Sequence, residues 1–184
     1  CFDSDGAPQS LRATKPIFYL VRRGVEAGTL DHALKVQALR AGAAIAFSSR
    51  SRRLAGGWVV AAGPHRTDVI ATGYVFDTDM ANGCYVAVAE RLAAAGYSYL
   101  LVNNGRGTVA TCLFDHFHEE HQFLDRTVEF FQRVVGLVWS NARRFGGVGN
   151  FDLIRKPMLG DRLYAGEAAG FQDALFGFGL RYAL

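Results

Sequence analysis

Apolar positions in the first third of the chain follow two different periods. In "LDHALKVQALRAG", Leu30, Ala33, Leu34, Ala38 and Ala41 recur at helical spacing, Thr29 stands where an N-cap belongs, and Gly42 supplies a left-handed stop. Around this helix the apolar runs are short and continuous. "IFYLVRR" (17–23), "AAIAF" (43–47) and "GWVVAAG" (57–63) read as strands, the first restricted by Pro16 to a sheet edge or a strand start. Strand, helix and strand in this order predict part of a layered α/β sheet.

From Thr67 onward the texture changes. "DVIATGYVFDT", "CYVAVAERL", "YSYLLVNN" and "GTVATCLF" are β-rich runs, and "NNGRG" (103–107) is a hairpin signal between the last two. These predict an antiparallel sheet in a second domain or subdomain. A long helix is expected over about residues 119–139, with Phe123, Val128, Phe131, Val134, Val135 and Val138 on a wide apolar face. "RRFGGVGN" reads as a glycine-rich loop, and "RLYAGEA" as a strand leading into "GEAAGFQDALFGFG" (166–179), with a helix starting near Gly177. The fold class is therefore α/β, in part α+β. No internal repeat or low-complexity segment interrupts it.

Composition narrows the setting. A chain of 184 residues, half of them hydrophobic, buries a sizeable core as one domain or as parts of two. The net charge of +3 comes from scattered arginines, dense only at Arg50, Arg52 and Arg53. That patch reads as a solvated loop, since a nucleic-acid footprint needs a basic stripe along one face, and no nucleic-acid partner is expected. Cys1, Cys84 and Cys112 show no CxxC spacing, and an odd count without a secretion signal predicts reduced thiols in a cytoplasm. No apolar run reaches the ~18 residues of a membrane span, which leaves peripheral membrane contact at most. The chain opens on Cys1 and stops within the apolar helical pattern "GLRYAL", from which an internal fragment of a longer protein is expected.

The segment from Gly166 admits two physical readings. Small residues between a strand and a helix let the backbone approach a bulky ligand, the free N–H groups of a helix start favour negative or polar partners, and the Glu167 carboxylate suits sugar or polyol hydroxyls. A tight strand-to-helix turn without a ligand satisfies the same spacing. "DHFHEEH" (115–121) also has two readings: a divalent-metal site, or a helix start where the acids serve as caps. It lacks HExxH, and His116 and His118 would alternate with Phe117 at a solvated strand end; no metal ligand is assigned. Tyr74, Phe76, Tyr97, Tyr99 and Phe114 either line an apolar pocket or pack in the sheet core, and Arg22 and Arg23 either reach phosphate or form a surface pair. Cys84 and Cys112 are expected to be buried and inert.

Gly166, Glu167, Ala168, Ala169 and Gly170, followed by Gly177, Phe178 and Gly179, resemble the second flavin-contacting motif of FAD-dependent oxidoreductases of the geranylgeranyl reductase type. These belong to the aromatic-hydroxylase-like flavoproteins. In that family a G-[DE]-A-A-G segment ends a strand of the FAD domain, and a following G-x-G helix start lies against the flavin. The resemblance implies that Glu167 binds the ribityl hydroxyls and that the backbone of Gly177, Phe178 and Gly179 faces the pyrimidine edge. Many relatives have Asp in place of Glu167 and Pro in place of Ala174. "RRGVEAGTLDHALKVQALRAGAAIAF" resembles the family's strand, helix and strand, and "VVAAGP" its A-x-G strand end near the cofactor, with Gly63 as the glycine. "GYSYLLVNNGRGTVATCLF" resembles the substrate-domain strand pair, with Tyr99, Leu101 and Val102 where relatives carry Trp, Phe and Pro.

The resemblance implies an incomplete Rossmann-like FAD-binding domain (1–66 and 157–184) with an inserted β-sheet substrate domain and long helix (67–156). The activity it implies is reduction of carbon–carbon double bonds in a small apolar, isoprenoid-like substrate, with NAD(P)H or a reduced carrier as electron donor. An aromatic monooxygenase and a non-enzymatic structural or metal-binding module are the alternatives. The family's N-terminal GxGxxG is absent from this sequence, so the chain by itself is expected to bind FAD weakly or not at all and to be inactive. No residue is assigned as catalytic acid or base.

Overall fold

The computed structural model describes residues 1–10, 14–15, 19–51, 57–64, 66–151, 157–171 and 179. Two compact units are present, one of Cys1–Leu11 with Gly56–Leu184 and one of Arg12–Ala55. The architecture is mixed α/β, with an antiparallel sheet and a long helix.

The smaller unit is organised by helix α1 (Leu30–Arg40). Thr29 caps it as expected, its hydroxyl oxygen accepting the His32 N–H at 3.3 Å. At the other end Gly42 takes φ +87°, and Gly42 and Ala43 donate to the carbonyls of Leu39 and Ala38, the double closure of a Schellman turn. Arg23 and Asp31 form a bidentate pair at 2.6 and 2.7 Å, so Arg23 takes its surface-pair reading. Among the described residues two of the three strands expected around α1 are not formed, and the third run, 57–63, contains the strand Val59–Val60. Residues 19–23 and 43–47 have no ladder partner among the described residues, and Tyr19 and Phe47 are largely exposed. Ile17 and Phe18 lie outside the described residues. A run with strand composition becomes a strand only when another backbone completes its hydrogen bonds.

The larger unit holds both sheets. Strands β1 (Val59–Val60), β2 (Val69–Asp77), β3 (Gly83–Ala87), β4 (Tyr97–Asn103), β5 (Arg106–Leu113), β6 (Ser140–Gly149), β7 (Met158–Leu159) and β8 (Arg162–Tyr164) surround helix α2 (Glu120–Val135) in the chain order. The five-stranded sheet is antiparallel in the order β3-β4-β5-β2-β6. Its tightest turn is the one anticipated: Asn103 pairs with Arg106 across Asn104 and Gly105, both at positive φ.

Glycines forced a correction at β6. "RRFGGVGN" is no loop but the body of an edge strand, paired with β2 from Gly149 at Val69 to Ser140 at Asp77. With β5 on its other side, β2 offers one open ladder edge, and those hydrogen bonds outweigh the weak strand preference of glycine. Gly136, at φ +68°, ends α2 before Val138, which is 61% exposed rather than on an apolar helix face.

The core lies between α2 and one face of the large sheet. Phe76, Leu100, Val102 and Val109 meet Phe130 and Phe131, while Phe2 joins by an N–H bond to the Val86 carbonyl and an edge-on contact with Phe130. Tyr74 and Phe76 pack on Trp139, and so take the core reading. Within this apolar layer the Leu92 carbonyl accepts from Thr111 and from one of Ser98 and Thr127, the other of which donates to its partner hydroxyl 2.9 Å away. This polar knot ties β4, β5 and α2 to one loop carbonyl.

Candidate functional site

β1 runs parallel to β8, with Val59 beside Leu163 and Val60 beside Tyr164. The register continues one step, the Ala165 N–H donating to the Val60 carbonyl at 2.9 Å. Parallel pairing places the carboxyl ends of both strands at the same edge, and that edge is where ligands bind in open α/β sheets. Gly63 follows β1 there, and the Gly166–Gly170 run follows β8. Two sequence-singled segments, separated by about a hundred residues, thus meet through a backbone ladder.

Gly166–Ala169 form a 3-10 turn entered from extended Ala165 and closed by Gly170 at φ +69°. Gly170 donates to the Glu167 carbonyl at 2.9 Å and Phe171 to the Gly166 carbonyl at 3.0 Å. Ala168 and Ala169 are buried, which explains their small size, whereas an added Cβ at Gly166 or Gly63 would meet no atom within 4 Å. Both glycines hold positive φ, so the open space above them coincides with a conformation a larger residue resists.

The Glu167 carboxylate is half-buried, and its Oε1 accepts the Asn150 N–H at 3.2 Å. The next amide, that of Phe151, donates to Asp68 Oδ2 at 2.8 Å. Asn150 and Asp68 had escaped the sequence reading, because no local pattern marks a residue that serves a turn from the end of a distant edge strand. Their signal is the β2–β6 pairing itself, which brings Asp68 and Gly149 together. Gly177 and Phe178 lie outside the described residues, and Gly179 lies outside any helix or strand.

A second cluster occupies the face of the large sheet turned away from α2. Ser98, Leu100 and Val102 serve the helix side, so Tyr97 and Tyr99 alternate to the other, with Cys112 opposite Tyr97 and Ala110 opposite Tyr99. The two tyrosine rings are 6.4 Å apart. Burial pushes the Cys112 thiol up to about 11, against a smaller opposing hydrogen bond from Tyr97, and burial also raises Tyr99. Both groups therefore stay neutral near pH 7. Cys84 is exposed rather than buried, because its strand β3 is at the sheet edge. Phe114 stacks on Phe151 with ring centres 5.5 Å apart.

"DHFHEEH" is not a strand end: β5 stops at Leu113 and Phe117–Glu119 form a 3-10 turn into α2. His116 Nδ1 meets Glu119 Oε1 at 3.2 Å, and Glu120 is engaged by Arg144 at 3.1 Å. Among the described residues no group of three or more His, Cys, Asp or Glu side chains converges on a metal position. None of the described helices is long and apolar enough to cross a membrane.

No protein-family model matches the chain, and no curated protein matches it. Among solved structures it is similar to a geranylgeranyl bacteriochlorophyll reductase-like protein from Thermoplasma acidophilum, at TM-score 0.49 and 18% identity over 64% of this chain and 31% of that one. It is also similar to a tryptophan 6-halogenase from Streptomyces toxytricini, at TM-score 0.45 and 13% identity over 64% of this chain and 23% of that one. The chain spans under a third of either protein's length. Likeness at this level concerns architecture and decides nothing about chemistry.

Proposed function

We propose that this chain is part of an FAD-dependent oxidoreductase that reduces carbon–carbon double bonds of a small apolar substrate, with NAD(P)H or a reduced carrier as electron donor. The observation that carries the reading is the parallel β1–β8 pair, which sets Gly63 and the Gly166–Gly170 turn at one strand-end edge. The residues there fit a flavin: an anionic acceptor for ribityl hydroxyls, and two left-handed glycines with open space for close approach.

Bound flavin supplies hydride chemistry that protein side chains lack. The chain's own residues bind and orient. Glu167 holds the polyol, its carboxylate steadied by the Asn150 N–H, and the 166–170 backbone sets where that carboxylate stands. Gly177, Phe178 and Gly179 are assigned to the ring edge on the resemblance alone. On the substrate side, Tyr97 stands beside Tyr99 and Cys112, and burial keeps the last two uncharged near neutral pH, so that they add no competing ionised group.

Flavin titration of the complete protein tests this reading. Glu167→Ala should weaken FAD binding by about 1–3 kcal/mol, the usual cost of deleting a charged acceptor at a partly buried site. Unchanged affinity would remove Glu167 from the site, and a complete protein without flavin affinity would end the proposal.

A further inference from the structure

Three arginines stand together on the outer side of α2, far in sequence from the strand-end turn. Arg91, from the loop after β3, and Arg133, from α2, place their guanidiniums 5.8 and 5.9 Å from the centre of the same Phe130 ring. The two cations are therefore no farther apart than the sum of those distances. Arg126, two helical turns before Arg133, lies 5.3 Å from the Phe123 ring and donates to Gln122 at 3.3 Å. Leu92, Glu129 and Phe130 complete a groove of about 200 Å³ with them.

The charges do not cancel. Among the described residues none of the three arginines is in an ion pair with a carboxylate, and Glu129 is the only acid on the groove wall, which leaves two positive charges in excess. Phe130 is 3% exposed, and Phe2 packs against its ring. Stacking on a fixed ring holds a guanidinium in place and leaves its donor edge free to point outward. Two or three planar donor forks around one groove match an oxyanion with several equivalent oxygens better than a single carboxylate.

We propose that Arg91, Arg126 and Arg133 form a binding groove for a phosphate-bearing ligand, either a soluble phosphate ester or the headgroup of an anionic lipid. It is independent of the strand-end turn and of any flavin.

Pyrophosphate titrated into the full chain by calorimetry at about 0.15 M salt tests it, beside co-sedimentation with phosphatidylcholine vesicles with and without phosphatidic acid. Saturable pyrophosphate binding identifies a soluble ester. Binding confined to the phosphatidic acid vesicles identifies a headgroup. In either arm Arg91→Gln with Arg133→Gln should weaken binding about tenfold or more, since charge-assisted bidentate contacts are lost. Glu129→Gln, which removes the opposing charge and no contact, should tighten it about threefold. All three positions are at the surface of α2 or its flanking loop, and circular dichroism checks that the variants fold. No binding in either arm, or binding that the arginine variants leave unchanged, overturns the proposal.

Discussion

The five-stranded sheet closes its β2–β5 centre with full ladders and seals one face under α2, burying Leu100, Val102, Val109 and Phe131 completely or nearly so. Strands in the three-stranded sheet β1-β8-β7 are two or three residues long, and Val59, Met158 and Leu163 are 59%, 54% and 45% exposed. A sheet that short contributes little stability by itself. Yet it carries the turn that Gly166 to Gly170 build. On the proposed reading the difference separates two tasks: the large sheet holds the fold, and the small one presents backbone and the Glu167 carboxylate to a flavin.

Glycine substitutions break or keep that division most sharply. A Cβ at Gly73, in the middle of β2, would sit 2.2 Å from the Val109 carbonyl oxygen, a backbone atom that cannot move aside. Gly73→Ala should cost about 3 kcal/mol, at the upper end for overpacking, whereas Gly147→Ala on the open edge strand, with nothing within 4 Å, should be tolerated. Urea unfolding of both variants gives the comparison. Equal losses would mean that the edge strand is as tightly packed as the centre.

Thr127→Val keeps the shape of the core but takes one hydroxyl from the Leu92 knot. The loss expected is about 1–3 kcal/mol, because buried polar partners are left behind. Glu167→Ala should cost about 1 kcal/mol of unfolding free energy in the absence of flavin, because the Asn150 N–H loses its acceptor at a partly buried site. A large loss would make Glu167 a structural residue and weaken the division of tasks.

His116 gives the smallest effect. Its hydrogen bond to Glu119, with Asp115 adding attraction, raises its pKa above the ordinary histidine value of 6.5. The contact favours the charged ring, so its contribution is complete below that ordinary value and disappears as pH rises through the raised one. Proton NMR should show His116 titrating lower in Glu119→Gln, and an unchanged titration would exclude the contact.

Legibility in the sequence followed how local each feature is. Thr29, Gly42 and the Asn104–Gly105 hairpin were readable because capping and turn chemistry act over a few residues. Strands β2 to β5 were readable because their apolar residues coincide with a sheet that has partners for all of them. Residues 43–47 looked equally strand-like and are not a strand, whereas Arg143 to Gly149 looked like a loop and are a strand. In both cases the deciding fact was whether a neighbouring backbone edge was available, which is a long-range property. At the candidate site, the Gly166–Gly170 run and Glu167 stood out by their small residues and lone acid but took a ligand role, as Gly63 did, only from the family resemblance. Asn150 and Asp68, by contrast, belong to the site only through the β2–β6 ladder.

Amide hydrogen exchange of the complete protein with and without FAD tests the central claim most directly. The account predicts slower exchange in residues 61–63 and 165–171 on FAD addition, with the amides of β2 to β5 unchanged, since the large sheet is already at its full protection. Protection that appears elsewhere and leaves both strand ends unaffected would contradict it.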